Sequence, residues 1–294
     1  MESTTNHPNP HTTKTQQESQ DANNENAQLK YFEFTEDMKA HAEDIINADA
    51  KNVTDFWYNK HEKEAKKNWD VFYKNNKTNF FKDRHYIDRE FSELSALKES
   101  DKTYTFCEMG CGVGNAFFPL VERYSNIICY GFDFSPRAIQ MIKESELYKQ
   151  NQDRIFAEVV DLVHDPIPEY FVKPDFATLI FVLSAISPEN HEKVVEKIGN
   201  FMKPGSVLMF RDYGRYDMAQ LKLAAQKIAK LKDNFYVKAD GTRVYYFTKE
   251  EIRDMFVKFG FEEIENDFHY RMVENRKEDL KMHRVWLQAK FRKL

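Results

Sequence analysis

Residues 106–115 read Phe-Cys-Glu-Met-Gly-Cys-Gly-Val-Gly-Asn, with glycines at 110, 112 and 114 behind Glu108. An apolar stretch, 104–109, precedes the glycines and a helix-like stretch, 115–123, follows them. A glycine-rich turn between a strand and a helix brings bare backbone up to a ligand and aims the N–H groups of the helix start at it. The run therefore constrains the chain to a fold in which strands feed helices across a sheet. It departs from the dinucleotide-binding G-x-G-x-x-G spacing, whose third glycine would fall at 115, where the chain has Asn115. Glycines alone can also make a tight turn that holds nothing.

Around this run the patterns alternate. Strands are predicted over 104–109, 127–133, 156–160, 176–181 and 207–212, and helices over 136–144, capped by Ser135, and 189–202, stopped by Pro204 and Gly205. Such alternation implies a doubly wound sheet with helices on both faces. Beyond it come an extra helix over 216–232 and a hairpin of 234–238 and 243–247 around Ala239-Asp240-Gly241-Thr242. A helix over 249–259 and strands over 261–270 and 284–291 complete the pattern.

Strand ends are where this class of sheet places its ligand. Asp133 ends the second strand, about 20 residues past the glycines, where a carboxylate accepts from both ribose hydroxyls. The alternative is a helix-start charge. Asp161 and Leu162 follow the third strand, suited to an adenine amino group and ring face or to an ordinary turn. Ile180 ends the fourth, lining the same pocket or the core. Together with Glu108, Gly110 and Gly112 these positions resemble the S-adenosylmethionine site of class I methyltransferases. The expected fold is accordingly α/β and Rossmann-like, a seven-stranded, mostly parallel sheet with an N-terminal helical extension and an inserted β-hairpin.

The rest of the composition narrows the class. With 294 residues there is room for one large domain with extensions. A net charge of −5 argues against a uniformly basic nucleic-acid binder but not against a local basic face. Residues 60–89 carry nine Lys/Arg against five acids, and 271–294 eight against three. These runs suit phosphates or are solvated faces. Cys107, Cys111 and Cys129 are odd in number, two of them in predicted buried strands, and no Cys/His pair accompanies Cys107 and Cys111, so neither disulfides nor a metal is expected, and a reducing, cytoplasmic or nuclear setting fits. No stretch approaches the roughly 18 apolar residues of a membrane span. Residues 1–28, rich in Asn, Gln, Thr and Ser, are expected to be a disordered tail. Residues 29–98 read as a helical segment, and 99–294 as the sheet domain with an insert at 215–247.

Several segments are more specific. They are Asn-Trp-Asp-Val-Phe-Tyr-Lys (68–74), Asn-Phe-Phe-Lys-Asp-Arg-His-Tyr (79–86), Asp-Phe-Ser-Pro-Arg-Ala-Ile (133–139), Leu-Ile-Phe-Val-Leu-Ser-Ala-Ile (179–186) and Phe-Arg-Asp-Tyr-Gly (210–214). With Asn-Phe-Tyr-Val and Asp-Gly-Thr-Arg of the hairpin, they resemble the eukaryotic tRNA N3-methylcytidine methyltransferases, the methyltransferase-like 2/6/8 group, from about Lys67 onward. Tyr86 stands where relatives commonly have Trp.

The resemblance implies methylation of cytosine N3 at the first anticodon-loop position, 32, of certain serine, threonine and arginine tRNAs. It implies that Trp69 and Tyr73 close over S-adenosylmethionine, so 29–98 is expected to be a cofactor-lid and tRNA-binding segment, with the part played by 29–66 left open. It also places Lys82, Arg84 and His85 at the tRNA backbone, with Arg211 and Tyr213 near the substrate. Phe80, Phe81, Tyr86 and Tyr213 are available to stack on a base or to pack internally. Asp212 is expected at the methyl-donor pocket, favouring a cationic product, or else paired with Arg211. Two readings stay open: a protein or small-molecule methyltransferase on the same fold, and a non-catalytic cofactor- or tRNA-binding subunit. Delivery of the tRNA by an aminoacyl-tRNA synthetase or another accessory protein is also open.

Overall fold

The computed structural model describes residues 31–76, 84, 87, 91–97, 101–275 and 280–294. Its centre is strand β1 (Tyr104–Met109), buried from Phe106 onward, which pairs in parallel with β2 (Ile127–Asp133) on one side and β4 (Phe176–Ile180) on the other. β3 (Ile155–Val159) adds to β2, and β5 (Val207–Tyr213) to β4, also in parallel. The chain then returns antiparallel as β10 (Leu280–Lys293) beside β5, with β9 (Phe261–Asn275) at the edge. The order is β3-β2-β1-β4-β5-β10-β9, the seven-stranded, mostly parallel sheet expected from the sequence.

Both faces of this sheet are covered, so its strands read as near-continuous apolar runs. Neighbouring residues alternate between two cores: Phe106, Cys129 and Met209 face one, and Cys107, Tyr130 and Leu208 the other. The first core packs under α3 (Phe117–Arg123) and α4 (Pro136–Glu144), the second under α6 (His191–Phe201) and α8 (Lys249–Lys258). Ser135 caps α4 by accepting from the Ala138 N–H, with Pro136 in the first turn. Thr248 and Glu251 form a reciprocal capping box on α8. All three cysteines are buried and free.

Among the described residues the long helices α1 (Glu36–Ala48) and α2 (Asp55–Asn76) precede the sheet; a short α5 (Glu146–Gln150) follows α4. The insert differs from expectation. Helix α7 spans only Met218–Gln226, because Lys227 turns left-handed (φ 57°) and its N–H bonds the Ala224 carbonyl. The chain then forms β6 (Lys230–Lys232), burying Leu231. With β7 (Phe235–Val237) and β8 (Arg243–Tyr245) it makes a three-stranded antiparallel sheet in place of a simple hairpin. The 239–242 turn is present: Gly241 has φ 80°, and Asp240 accepts from the Thr242 N–H at 2.9 Å. Strand β4 stops at Ile180 because Phe181 adopts φ 57°, and the helix predicted over 189–202 starts as a 3-10 turn at Pro188–Asn190.

Candidate cofactor and substrate site

Above the carboxyl ends of β1, β2, β3 and β4 lies a cavity of about 400 Å³, within the range of small-molecule sites. Six residues expected at the cofactor meet on its wall: Trp69, Tyr73, Gly110, Asp133, Asp161 and Leu162. The floor is the glycine turn. Gly110 (φ 70°) lies so close to β4's end that a Cβ there would stand 2.3 Å from Val182 Cγ2. Gly112 (φ 53°) is not on the wall; a Cβ there would stand 2.7 Å from the Tyr73 hydroxyl, so the turn and α2 fit only with glycine.

Asp133 is buried and holds the turn in place. Its Oδ2 accepts the Gly112 N–H at 3.0 Å and its Oδ1 the Ser135 N–H at 2.9 Å. Burial pushes its carboxyl up to about 6 despite both bonds. Asp161 lies on the same wall at the end of the neighbouring strand, just past Val160, whose N–H bonds the Asp133 carbonyl at 3.0 Å. Burial raises its carboxyl, but His164 at 3.0 Å and the Val163 N–H at 2.8 Å outweigh that, and the net shift is downward. Two carboxylates at neighbouring strand ends, apolar Leu162 and Val163 on the same wall, and backbone at Gly110 match the hydroxyls, ring and amino-acid tail of S-adenosylmethionine. The donor set thus fits the cofactor expected from sequence.

The roof is one face of α2. Glu62, Ala65, Lys66, Trp69 and Tyr73 recur at helical spacing along the cavity. The helix is anchored at both ends of this face. Asp70 accepts from the Ser135 hydroxyl at 3.0 Å and the Arg137 N–H at 3.1 Å, completing the cap of α4. Glu62 pairs with the buried Arg243 of β8, which also donates to the Ser187 hydroxyl at 2.9 Å and the Ala185 carbonyl at 3.1 Å. Between them, Asn68 donates to the Gly241 carbonyl at 2.9 Å.

Other expected residues lie elsewhere. Glu108 is not on the wall: it accepts the Phe117 N–H at 3.1 Å beneath the turn, and burial pushes its carboxyl up to about 7 despite Arg84. Arg84 is correspondingly turned inward, 3.6 Å from Glu108 with its side chain 12% exposed, so it supports the loop and is not placed to meet tRNA phosphates. Ile180 packs in the core with Phe176 and Met209; Phe181 and Val182 line the cavity in its place.

Asp212 is wholly buried and off the cavity wall. It accepts the Ser184 N–H at 2.9 Å and its own neighbour's, Tyr213, at 2.9 Å, and burial raises its carboxyl to about 7. It does not pair with Arg211, which lies on the opposite sheet face and donates to Gln288. Arg211 is buried there, not presented to substrate. Tyr213 is partly exposed, its ring 4.8 Å from Phe181. Lys82 and His85, with Phe80, Phe81 and Tyr86, lie outside the described residues.

Sequence reasoning missed Glu62, Lys66, Phe134, Phe181, Val182 and Arg243. Glu62 and Lys66 had a signal, since they continue the helical face of Trp69 and Tyr73 by steps of three and four. Arg243 had none that spacing could give, because it meets Glu62 across 181 positions of sequence.

Sheet order, glycine turn and strand-end carboxylates define a Rossmann-like methyltransferase, and residues 78–266 match a family model described as a methyltransferase domain. More narrowly, the chain belongs to the tRNA N(3)-cytidine methyltransferase family. It is 45% identical over 260 residues to the human tRNA N(3)-cytidine methyltransferase METTL6, covering 87% of this chain and 90% of that one. It is 40% identical over 245 residues to the tRNA N(3)-methylcytidine methyltransferase trm141 of Schizosaccharomyces pombe, covering 82% and 98%. The Saccharomyces cerevisiae tRNA(Thr) (cytosine(32)-N(3))-methyltransferase is 38% identical over 269 residues, covering 88% of this chain and 42% of that one. Among solved structures, an S-adenosylmethionine-dependent methyltransferase from Anabaena variabilis shares the fold, with a TM-score of 0.55 at 12% identity over 78% of this chain and 95% of that one. So does a Burkholderia thailandensis N1-methyltransferase, with a TM-score of 0.54 at 11% identity over 92% and 96%.

Proposed function

We propose that this protein methylates N3 of an unpaired cytosine in the anticodon loop of tRNA, at position 32. The observation that carries the reading is the human relative's name and 45% identity over 87% of this chain, and the name of the Saccharomyces cerevisiae relative supports position 32. When bound, S-adenosylmethionine supplies a methyl group on a sulfonium centre. Asp133 holds the ribose, Asp161 and Leu162 the adenine, and Trp69, Tyr73 and Gly110 the remainder of the cofactor. Glu108 and Gly112 act one layer back, fixing the turn.

Cytosine N3 carries an in-plane lone pair, so no side chain has to remove a proton before attack. The reaction therefore needs no general base, and positioning supplies much of the rate. Asp212 belongs to that positioning: by holding the Ser184 N–H it sets the 181–186 segment that forms the cavity wall. Because N3 lies on the pairing edge, the base must be unpaired or flipped out. The basic face of α2, with Lys63 and Lys66 at the cavity, and the 77–85 segment with Lys82 and His85 are assigned to the tRNA backbone.

Nucleoside mass spectrometry of tRNA incubated with the purified protein and S-adenosylmethionine tests the reading. N3-methylcytidine at position 32 is expected. Methylation of another base, or of protein alone, would remove it. Activity that arises only when cell extract or an aminoacyl-tRNA synthetase is added would assign the delivery step to an accessory protein.

A further inference from the structure

This inference rests on the methyl-transfer reading above and concerns which side chain meets the target base. Phe181 is the residue at which β4 breaks. Its φ of 57° is a conformation that glycine takes freely and a bulky side chain takes only at a cost of about 1–2 kcal/mol. Its N–H nevertheless bonds the Arg211 carbonyl at 2.8 Å, and the next residue, Val182, is pressed against Gly110. The strained turn thus fixes the Phe181 ring beside the glycine loop.

Position separates this ring from the other aromatic residues on the cavity wall. Trp69 and Tyr73 come from α2, and Phe132 and Phe134 flank Asp133 at the ribose end. Phe181 alone of these rises from the β4 end. Its ring is partly exposed and backed by Tyr213 at 4.8 Å and Trp286 at 6.1 Å, which hold it in one orientation.

We propose that Phe181 is a catalytic residue: the platform on which the target cytosine stacks, its ring face stabilising the positive charge that methylation places on the base. In the transfer the N3 lone pair forms the new N–CH₃ bond. The S–CH₃ bond breaks, its electron pair stays on sulfur as a neutral thioether, and the positive charge passes to the pyrimidine ring. No proton moves. A ring face attracts a cation more strongly than a neutral base, so the contact strengthens along the reaction coordinate and lowers the barrier.

The test is single-turnover methylation of tRNA by Phe181→Leu and Phe181→Tyr, with S-adenosylmethionine affinity measured by calorimetry. Leu is expected to slow transfer roughly tenfold and Tyr by no more than about threefold, while cofactor affinity stays within about twofold of wild type. A second readout needs no turnover. Anticodon stem-loop RNAs carrying cytidine or N3-methylcytidine at the target position are titrated against each protein, and Leu should weaken binding of the methylated RNA more than the unmethylated. A folded Leu variant with a wild-type rate, or one whose cofactor affinity falls in step with its rate, overturns the assignment. A wild-type protein that forms no N3-methylcytidine, either alone or with cell extract or an aminoacyl-tRNA synthetase added, removes the underlying reading itself, and the role of Phe181 with it.

Discussion

Asp133 reaches back from the end of β2 to accept the Gly112 N–H at 3.0 Å, so the residue proposed to hold the ribose also fixes the glycine turn. The two roles share one carboxylate. Asp133→Ala leaves the Gly112 and Ser135 N–H groups without their acceptor, at roughly 1–3 kcal/mol, and removes the ribose partner as well. S-adenosylmethionine affinity should fall at least tenfold by calorimetry, with a lower melting temperature for the cofactor-free protein. Unchanged affinity in a folded variant would detach Asp133 from the ribose.

Arg84 and Glu108 form a second coupled pair, beneath the same turn. Arg84→Ala should destabilise the protein by about 1–3 kcal/mol in denaturant unfolding, limited because Glu108 can take up a proton once its partner is gone. The salt dependence of tRNA binding should keep the wild-type slope, since this guanidinium does not face solvent. A flatter slope would return Arg84 to the phosphate contacts.

The ion pair of Glu62 with Arg243 ties the roof helix to the insert. Arg243→Ala and Glu62→Gln should each speed cofactor release and raise the KM for S-adenosylmethionine, with a smaller effect on kcat. Because the residues are in contact, the double variant should show a coupling of about 0.5–3 kcal/mol. Additive effects would mean that the two side chains act on the cofactor separately.

Stability should depend on pH through the buried carboxyls. Glu108 and Asp212 have folded-state values near 7, above their ordinary 4.5 and 3.8. Folding therefore favours their protonated forms. The resulting stability is fully present below about pH 4 and is lost as pH rises through 7, on the order of 3 kcal/mol per group. Melting temperature should fall between pH 5 and 8, and Glu108→Gln should flatten that fall. A variant with the wild-type pH slope would show that Glu108 titrates normally.

Asp212→Asn tests the positioning role. Its amide would turn an N–H toward the backbone N–H of Ser184 or Tyr213, loosening the 181–186 wall. Methyl transfer should drop by tenfold or more and the melting temperature should fall with it. Lost activity at unchanged stability would instead support direct electrostatic action on the base.

The sequence by itself determined the features that local pattern carries. Alternating strands and helices specified the sheet, the glycines at 110, 112 and 114 specified the turn, and Asp133 and Asp161 were placed by their position at strand ends, where the connectivity of the sheet leaves little choice. Tertiary structure decided which way side chains face and what they meet. In strands buried on both faces the apolar run has no period, so Ile180 and Phe181 looked alike until the left-handed turn sent one to the core and the other to the cavity. Asp212 and Arg211 are adjacent in sequence but on opposite sheet faces, which is why neither pairs with the other. Arg84 was expected at the tRNA backbone and Arg243 had no role assigned from sequence, yet each is drawn inward by a carboxylate from a distant element. Burial and long-range pairing are properties of the assembled fold, because the desolvation that makes such charges seek a partner exists only once the surrounding elements have closed.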